Sequence, residues 1–207
     1  MNALTRRHAL ALGSGALLLP SGLRAQAAWP TGPVTFVVGY AAGGSTDINA
    51  RELAHVMTPV IGQQIIIENK GGAAGSIGLR ATAAAKPDGQ TLFVAVGTNV
   101  IINPHVQKGM IDTLAALAPI CQITDYQYVL VVGKNVPANN AKELVAMAKK
   151  DPDKLTYSSS GVGGNNHLAG ALFARAAGIK ITHVPYKGTG PAAVSYTHLT
   201  LPTIYSV

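Results

Sequence analysis

The stretch VVGYAAGGSTDINARELA, residues 37–54, changes character in its middle. It begins as the end of a β-rich run, breaks into small and polar residues at positions 41–47, and continues with residues that favour helices. This pattern predicts a strand, a tight turn and the first turn of a helix. The turn is either an ordinary one with a Ser, Thr or Asp cap, or a place where unpaired helix N–H groups bind an anion. On this stretch alone both interpretations stay open.

The rest of the chain repeats the alternation of strand and helix. Further strands are predicted at residues 63–70, 91–97, 126–135, 155–161 and 180–188, with helix-forming segments between them. Strands that alternate with helices in this way are typical of α/β folds whose sheets are mostly parallel. From the chain length and the number of strands, we expect a first lobe at residues 28–124 and a second lobe at residues 125–194.

The first 27 residues have the pattern of a secretory signal peptide. Arg6 and Arg7 provide a basic start, residues 9–19 are apolar, and Ala-Gln-Ala ends the segment at Ala27. The apolar run is too short to span a bilayer comfortably. We therefore expect export to the periplasm with cleavage after Ala27, by either the Sec or the twin-arginine route.

The charge of the chain does not support a nucleic-acid partner. The full sequence has a net charge of +7, but the predicted signal peptide contains three arginines and no acidic residue. The remainder carries 13 basic and 9 acidic residues, a net charge of +4, and the basic residues are scattered rather than clustered. Nucleic-acid binding requires a basic patch, so this class is not expected.

The single cysteine and the histidines predict neither a disulfide nor a metal site. Cys121 is the one cysteine, and its apolar, strand-like surroundings predict a small buried core residue. The histidines beyond the signal peptide are isolated and have no metal-ligand spacing. No metal and no cofactor are therefore expected.

Five predicted strands end in turns that are rich in glycine or small polar residues. These turns are residues 41–47, 69–76, 97–99, 158–167 and 185–190. In open α/β sheets, ligands bind outside the carboxyl ends of the strands, which is where all five turns lie. The turns supply many hydrogen-bond donors but few titratable groups, so they favour binding of a carboxylate over catalysis.

Two titratable residues of these turns have simpler structural interpretations. Asp47 is predicted to be a first-turn carboxylate of a helix, and His167 is predicted to stand at the start of another helix. A hydrolase that uses Ser45 or Ser160 is a possible alternative, but neither serine lies in a G-x-S-x-G nucleophile elbow.

Several segments in order resemble one family. They are WPTGPVTFVVGYAAGGSTDINAREL, IIIENKGGAAGSIG, PDGQTLFVAVGTNVIINP, VPANNAKELVAMAKKDPDKLTYSSSGVGGNNHLAGALF and HVPYKGTGPA. Together they resemble the extracytoplasmic substrate-binding proteins of the tripartite tricarboxylate transporters, the TctC-like or Bug family. The resemblance extends over residues 29–193.

The resemblance implies a periplasmic binding protein fold of type II, a Venus flytrap with two α/β lobes and mostly parallel sheets. It implies that a small carboxylate, often a dicarboxylate or tricarboxylate, is captured between the lobes and passed to membrane permease subunits. It also implies a monomer that is not an enzyme. A sensory protein that reports the ligand to a membrane kinase remains an alternative.

The resemblance also implies which residues bind the ligand. From the first lobe they are Tyr40, Ala42, Gly43, Gly44, Ser45, Thr46, Asp47, Thr98 and Asn99. From the second lobe they are Ser160, Gly161, Asn165, His167, Tyr186, Lys187 and Gly188. Family members often have Pro-Gly-Gly where this chain has Ala42-Gly43-Gly44, so a less rigid turn is expected here.

The last residues depart from the family pattern. The match ends near Val194, and residues 195–207, SYTHLTLPTIYSV, look foreign to it, so the second lobe is expected to be incomplete. We expect this tail to pack weakly on the rest. The alternative is a short strand, which Pro202 disfavours because proline interrupts strand pairing.

Overall fold

The computed structural model describes residues 29–198 and 203–206. The predicted signal peptide, residues 1–27, lies outside the described residues. The elements below all belong to one compact unit that begins at Gly32.

The first sheet is three-stranded and parallel in the described part of the chain. Its strands are β1 (Val34–Val38), β2 (Ile65–Asn69) and β3 (Thr91–Val94), in the order β2-β1-β3. Helix α1 (Ser45–Ile61) joins β1 to β2, and helix α2 (Ser76–Ala83) follows a 3₁₀ turn after β2. Because all three strands run the same way, the loops that follow them emerge at one edge.

Helix α1 begins at Ser45, within the turn predicted at residues 41–47, and ends at Ile61. Gly44 is its N-cap in an extended conformation, and Gly62 ends it with a φ of 68°, a left-handed conformation that glycine adopts without strain. Ala50 and Ala54 are buried against the apolar face of the sheet, where they pack with Phe36 and its neighbours. Small residues on this face let the helix lie close to the strands.

Short helices follow the first sheet. They are α3 (Gly97–Ile101), α4 (Asn103–Val106) and α5 (Thr113–Ala116). Residues 117–129, which come next, contain neither helix nor strand, and almost all of them are exposed. The predicted boundary between the lobes, at residues 124 and 125, falls within this segment.

Two predictions for this segment are wrong. The strand predicted over residues 126–135 is reduced to β4 (Leu130–Val132), and Cys121 is exposed rather than buried. The apolar residues around Cys121 favoured a core strand, but no neighbouring strand pairs with residues 117–129 in the described structure. An apolar run without a partner strand remains at the surface.

The second sheet contains four strands in the described residues, in the order β4-β7-β5-β6. Strands β5 (Thr156–Ser159) and β6 (Thr182–Pro185) are parallel to each other. The helices of this region are α6 (Ala141–Lys150), α7 (Asn165–Ala177) and α8 (Thr189–His198). A second core, centred on Leu144 and Leu155, lies between these helices and the sheet.

Weak packing was predicted for the tail, residues 195–207, but its described residues pack within the fold. Residues Thr203–Ser206 form β7, which lies inside the sheet, parallel to β5 and antiparallel to β4. The strand begins one residue after Pro202, so the proline does not interrupt its pairing. Helix α8 also continues past residue 194, and Ser195 is buried, with its Oγ donating to the Ala192 carbonyl at 2.7 Å.

The predicted α/β class with mostly parallel sheets is confirmed, since β4 and β7 form the one antiparallel pair among the described strands. In the described residues, no helix is both long and apolar enough to cross a membrane.

Candidate functional site

The loops at the carboxyl ends of the two sheets contact each other. The β1–α1 loop (residues 39–44) reaches the β6–α8 loop (residues 186–188), where the Ala41 N–H donates to the Lys187 carbonyl at 2.9 Å. An added Cβ at Gly188 would lie 3.1 Å from the Ala41 nitrogen. The backbones of the two loops are therefore in direct contact, and the predicted residues Tyr186, Lys187 and Gly188 lie at this contact.

Gly44 is required for the same close approach. A Cβ at Gly44 would lie 2.7 Å from Thr189 Oγ1, and the Ser45 N–H donates to this same oxygen at 3.1 Å. A Cβ at Gly190 would lie 3.2 Å from the Gly43 carbonyl carbon. The glycines of the turn thus accommodate another part of the protein, in addition to any role toward a ligand.

Asp47 is buried and holds the β1–α1 loop in place. Its carboxylate accepts hydrogen bonds from the Gly43 N–H, from Arg51 Nε and from Asn69 Nδ2, each at 2.9 Å. Burial alone would raise the pKa of Asp47, but these hydrogen bonds outweigh it and hold the pKa below its ordinary value. A carboxylate that is satisfied in this way orders the loop and leaves the contacts with an anion to other groups.

Tyr40 and Asn99 join the ends of β1 and β3. Asn99 Nδ2 donates to Tyr40 Oη at 3.0 Å, and Asn99 Oδ1 accepts from the Val96 N–H at 2.9 Å. Tyr40 Oη in turn donates to the Ala74 carbonyl at 3.2 Å. Burial raises the pKa of Tyr40 to about 12, so its hydroxyl stays protonated as a donor. Both predicted residues are parts of a buried hydrogen-bond network.

The β5–α7 loop (residues 160–164) also contacts the first sheet. Gly161 has a φ of 134°, and a Cβ there would lie 3.2 Å from the Ala74 nitrogen. Gln107 Nε2 donates to the Val162 carbonyl at 3.2 Å, and Gln107 Oε1 accepts from Ser76 Oγ at 2.8 Å. Gln107 was not among the predicted site residues, because no motif in the sequence marks it.

His167, on α7, stacks with His183 and Tyr157 of the second sheet. Its ring lies 4.1 Å from that of His183, which lies 4.9 Å from that of Tyr157. His167 Nδ1 accepts from the Gly163 N–H at 3.2 Å, so His167 also orders the β5–α7 loop. Burial lowers the pKa of both histidines, and burial together with the neighbouring His167 lowers that of His183 to about 4.

The serines predicted for a hydrolase lack a base. Ser160 Oγ donates to Asn166 Oδ1 at 3.0 Å, and Ser45 is bound through its backbone to Thr189. Ser159 Oγ does lie 2.6 Å from His183 Nε2, but Ser159 is completely buried and inaccessible to a substrate. The geometry gives no support to the hydrolase alternative.

An open pocket lies between α3 and α7. It has a volume of about 430 Å³, and its walls include Thr98, Ile101, Tyr128, Asn165, Leu168 and Leu172. Of the sixteen predicted binding residues, Thr98 and Asn165 line this pocket. Thr98 and Asn165 therefore have a different place from the predicted residues at the contact between the β1–α1 and β6–α8 loops.

Thr98 and Asn165 are polar residues in the wall of the pocket, and one oxygen of each side chain is buried. In the described residues, Thr98 Oγ1 and Asn165 Oδ1 are buried atoms that make no hydrogen bond of ordinary geometry, although the Tyr40 hydroxyl lies beside Thr98. Asn165 Nδ2 donates to Tyr126 Oη at 3.1 Å. A buried polar atom without a partner is costly, so a ligand or water that supplies one would be bound favourably here.

Tyr128 lines the pocket, and Tyr126 packs against Tyr128. The rings of Tyr126 and Tyr128 meet edge to face with centroids 5.6 Å apart. Burial, and then the neighbouring Tyr126 hydroxyl, raise the pKa of Tyr128, so it remains a neutral donor. Neither tyrosine was predicted as a site residue; the signal was their position beside the expected lobe boundary.

Comparisons with known proteins agree with the predicted family. The Tripartite tricarboxylate transporter family receptor profile, TctC, matches residues 49–199. A UPF0065 protein in the TAR-I ttuE-ttuC' intergenic region of Agrobacterium vitis is 38% identical over 180 residues, covering 86% of this chain and 51% of the relative. Protein BugT of Bordetella pertussis is 32% identical over 173 residues, covering 80% of this chain and 52% of the relative. The chain thus spans about half the length of these curated relatives.

Solved structures are similar over the same region. The periplasmic binding protein BugD has a TM-score of 0.71 at 35% identity, covering 81% of this chain and 56% of BugD. Rpa4515 of Rhodopseudomonas palustris, solved with adipate, has a TM-score of 0.73 at 30% identity, covering 84% of this chain and 58% of Rpa4515. MatC from the same organism, solved with bound malate, has a TM-score of 0.74 at 28% identity, covering 84% of this chain and 60% of MatC. These similarities confirm the predicted periplasmic binding protein fold.

Proposed function

Because the chain belongs to the tripartite tricarboxylate transporter receptor family, TctC, we propose that it captures a small carboxylate outside the cytoplasm for a transporter of this type. The observation that carries the proposal is the similarity to two proteins solved with adipate and with malate, both of which are carboxylates. The partners in this proposal are the carboxylate and the membrane permease subunits. The protein itself, as a monomer, binds and releases its ligand unchanged.

The pocket between α3 and α7 suits one end of such a ligand. A carboxylate accepts several hydrogen bonds, and the Thr98 hydroxyl and the Tyr128 hydroxyl are potential donors at the polar end. Asn165 Nδ2 already donates to Tyr126 Oη, so Thr98 and Tyr128 supply the donors in this proposal. Neutral donors bind a carboxylate without a basic side chain, as in other small-molecule sites.

The loop contacts around the pocket would control access. The hydrogen bond between Ala41 and Lys187 and the contact of Gly44 with Thr189 both join loops of the two sheets. In this proposal, the contacts of residues 41–45 with residues 187–190 form when the lobes close on the ligand. Their separation would open the pocket and release it.

The proposal is tested by NMR titration of the ¹⁵N-labelled 207-residue chain, which detects weak binding as well as tight binding. Malate, adipate and hexanoate are compared with the neutral amide of hexanoate. We expect amide signals around Thr98 and Asn165 to shift with the carboxylates and not with the neutral amide. Equal shifts with the neutral compound, or none with any carboxylate, would contradict the proposal.

A matched pair of variants locates the carboxylate. Thr98→Val removes a buried hydroxyl from the pocket and should weaken binding about tenfold, the effect of losing one hydrogen bond to a charged group. Thr113 is the control, since it is also buried and its Oγ1 also lacks a partner in the described residues, but it does not line the pocket. Thr113→Val should bind as the original chain does.

A further inference from the structure

The β5–α7 loop, residues 160–164, is held from two sides. Toward its own helix, the Gly163 N–H donates to His167 Nδ1 at 3.2 Å. Toward the first half of the chain, the Val162 carbonyl accepts from Gln107 Nε2, also at 3.2 Å. Gly163 is buried, so losing the histidine as an acceptor would be costly for its N–H. A change at His167 therefore acts on a loop that touches the first half of the chain.

The hydrogen bond between Gly163 and His167 requires a neutral imidazole ring. A neutral imidazole has one nitrogen that accepts a hydrogen bond, whereas both nitrogens of a protonated imidazole are donors. A proton on His167 Nδ1 would therefore face the Gly163 N–H, and two donors cannot bond to each other. The loop must then move until the Gly163 N–H reaches another acceptor or water.

The groups around His167 do not offset a positive charge on its ring. The ring of His183, on β6, is stacked at 4.1 Å, and the ring of Tyr157, on β5, lies at 6.4 Å. Burial raises the pKa of Tyr157, so the phenol stays neutral. In the part of the chain that the structure describes, no acidic side chain is stacked on or hydrogen-bonded to either histidine ring. The surroundings therefore favour the neutral form of His167.

His167 takes up a proton before His183 does. Burial lowers the pKa of His167 below its ordinary value of 6.5. Burial and then the charge of His167 lower the pKa of His183 to about 4. His183 Nε2 lies 2.6 Å from Ser159 Oγ, and a hydroxyl can donate or accept, so this bond is possible in either state of His183. Of the two bonds, only the one to His167 is lost on protonation.

We propose that protonation of His167 releases the β5–α7 loop, so that the contact between Val162 and Gln107 is made at neutral pH and broken in weak acid. The loop returns when the ring loses its proton, so the change is reversible. For the proposed carboxylate-binding function, it means that weak acid favours the open form. The release itself needs no ligand, so its test is independent of the proposed function.

NMR of the ¹⁵N-labelled 207-residue chain, between about pH 8 and about pH 5, tests the inference. The signals of the Gly163 amide and of the Gln107 side-chain amide should shift along the same titration curve as the His167 ring, with a midpoint below pH 6.5. The shifts should reverse when the pH is raised again. Amide signals of buried residues such as Val38 and Leu79 should not follow this curve, which separates release of the loop from unfolding.

Two variants distinguish the histidines. His167→Asn places an amide oxygen near the position of Nδ1, where it can accept from Gly163 but does not titrate. The signals of Gly163 and Gln107 should then be independent of pH. His183→Gln leaves His167 in place, so the loop signals should still follow the titration of His167. Thermal unfolding at about pH 8 checks that both variants are folded.

The outcomes decide between the two histidines and no switch. Loop signals that do not change over this pH range, or that titrate equally in His167→Asn, overturn the inference. Titration that disappears in His183→Gln but persists in His167→Asn assigns the effect to His183 and also overturns it. If His167→Asn does not fold, the midpoints in the original chain decide, because a loop midpoint that differs from that of the His167 ring rejects the proposal.

Discussion

The contact between the β1–α1 and β6–α8 loops and the pocket beside it use their polar groups in opposite ways. At the loop contact, the Ala41 N–H, the Ser45 N–H and the Asp47 carboxylate all have protein partners. At the pocket, Thr98 Oγ1 and Asn165 Oδ1 are buried and make no hydrogen bond of ordinary geometry among the described residues, although Thr98 lies beside the Tyr40 hydroxyl and Asn165 beside Tyr128. The glycine-rich and Asp-containing turns therefore hold the two loops together, whereas the pocket is the place where the proposed ligand would bind.

The largest loss of stability is expected when the hydrogen bonds of Asp47 in the β1–α1 loop are removed. Asp47→Ala removes the acceptor of the Gly43 N–H, of Arg51 and of Asn69. The substitution loses three hydrogen bonds to a buried carboxylate, so we expect the free energy of unfolding to fall by about 2–3 kcal/mol. Chemical denaturation measures this, and Glu52→Ala, an exposed acid on the same helix, serves as the control. Equal losses for both variants would show that Asp47 does not order the loop.

Gly44→Ala should have the next largest effect, because it pushes the two loops apart. Its Cβ would lie 2.7 Å from Thr189 Oγ1, closer than real contacts allow. We expect a loss of about 1–3 kcal/mol in the free energy of unfolding, the usual range for overpacking.

The double variant Gly44→Ala/Thr189→Ala tests whether the contact with Thr189 causes the loss of stability. Removing the Thr189 side chain should restore part of the stability that Gly44→Ala loses, and this appears as a coupling energy in a double-mutant cycle. If the losses of stability of the two single variants simply add in the double variant, the contact between the new Cβ and Thr189 does not cause the loss in Gly44→Ala.

A smaller effect should appear as a dependence of stability on pH. The folded-state pKa of His183 is lowered to about 4, by burial and by the neighbouring His167. The ordinary pKa of histidine is about 6.5. Between pH 6.5 and pH 4, the unfolded chain therefore binds more protons than the folded chain does. Stability contributed by neutral His183 is fully present above this window and is lost as the pH falls through it.

Denaturation at several pH values checks this dependence. Substitution His183→Gln should flatten the stability profile between pH 4 and pH 6.5, the window in which the shifted histidine titrates. The lowered pKa of Asp47 acts in a separate window, below the ordinary Asp value of 3.8, where its stabilisation is lost as the acid protonates. An unchanged slope in His183→Gln would contradict the prediction.

The smallest expected effect concerns Cys121, which lies in the segment between the sheets. Because its side chain is exposed, Cys121→Ser should change the free energy of unfolding by no more than about 0.5 kcal/mol. The thiol should also react with a soluble disulfide reagent at the rate of an accessible cysteine in the native protein. Slow reaction that accelerates only on unfolding would indicate a buried position.

The order of helices and strands could be predicted from sequence because each boundary has a local signal. Gly44 and Gly62 delimit α1, and Asn140 caps α6 by accepting from the Glu143 N–H. The segment around Cys121 could not be predicted correctly in this way. Its composition favours a strand, but a strand exists only when another strand pairs with it.

For the candidate site, too, some residues were named from the sequence, whereas their contacts with distant residues appear only in the structure. Thr98 and Asn165 were among the sixteen residues that the family resemblance implies, and the pocket contains both. The roles of Asp47, Asn99 and His167 as partners of other protein groups depend on residues far away in the chain, such as Asn69, Tyr40 and His183. Tyr126 and Tyr128 join the site through a segment that has no motif of its own.

The sequence by itself determined the alternation of strands and helices, the glycine-rich turns at strand ends and the family of the protein, because these depend on neighbouring residues and their spacing. The tertiary structure alone decided which polar groups are satisfied. Asp47 is satisfied by Asn69 and Arg51, whereas Thr98 and Asn165 keep buried atoms without partners in the described chain. Hydrogen bonding is a property of distances between atoms, and the distances that matter here join residues from different strands and helices.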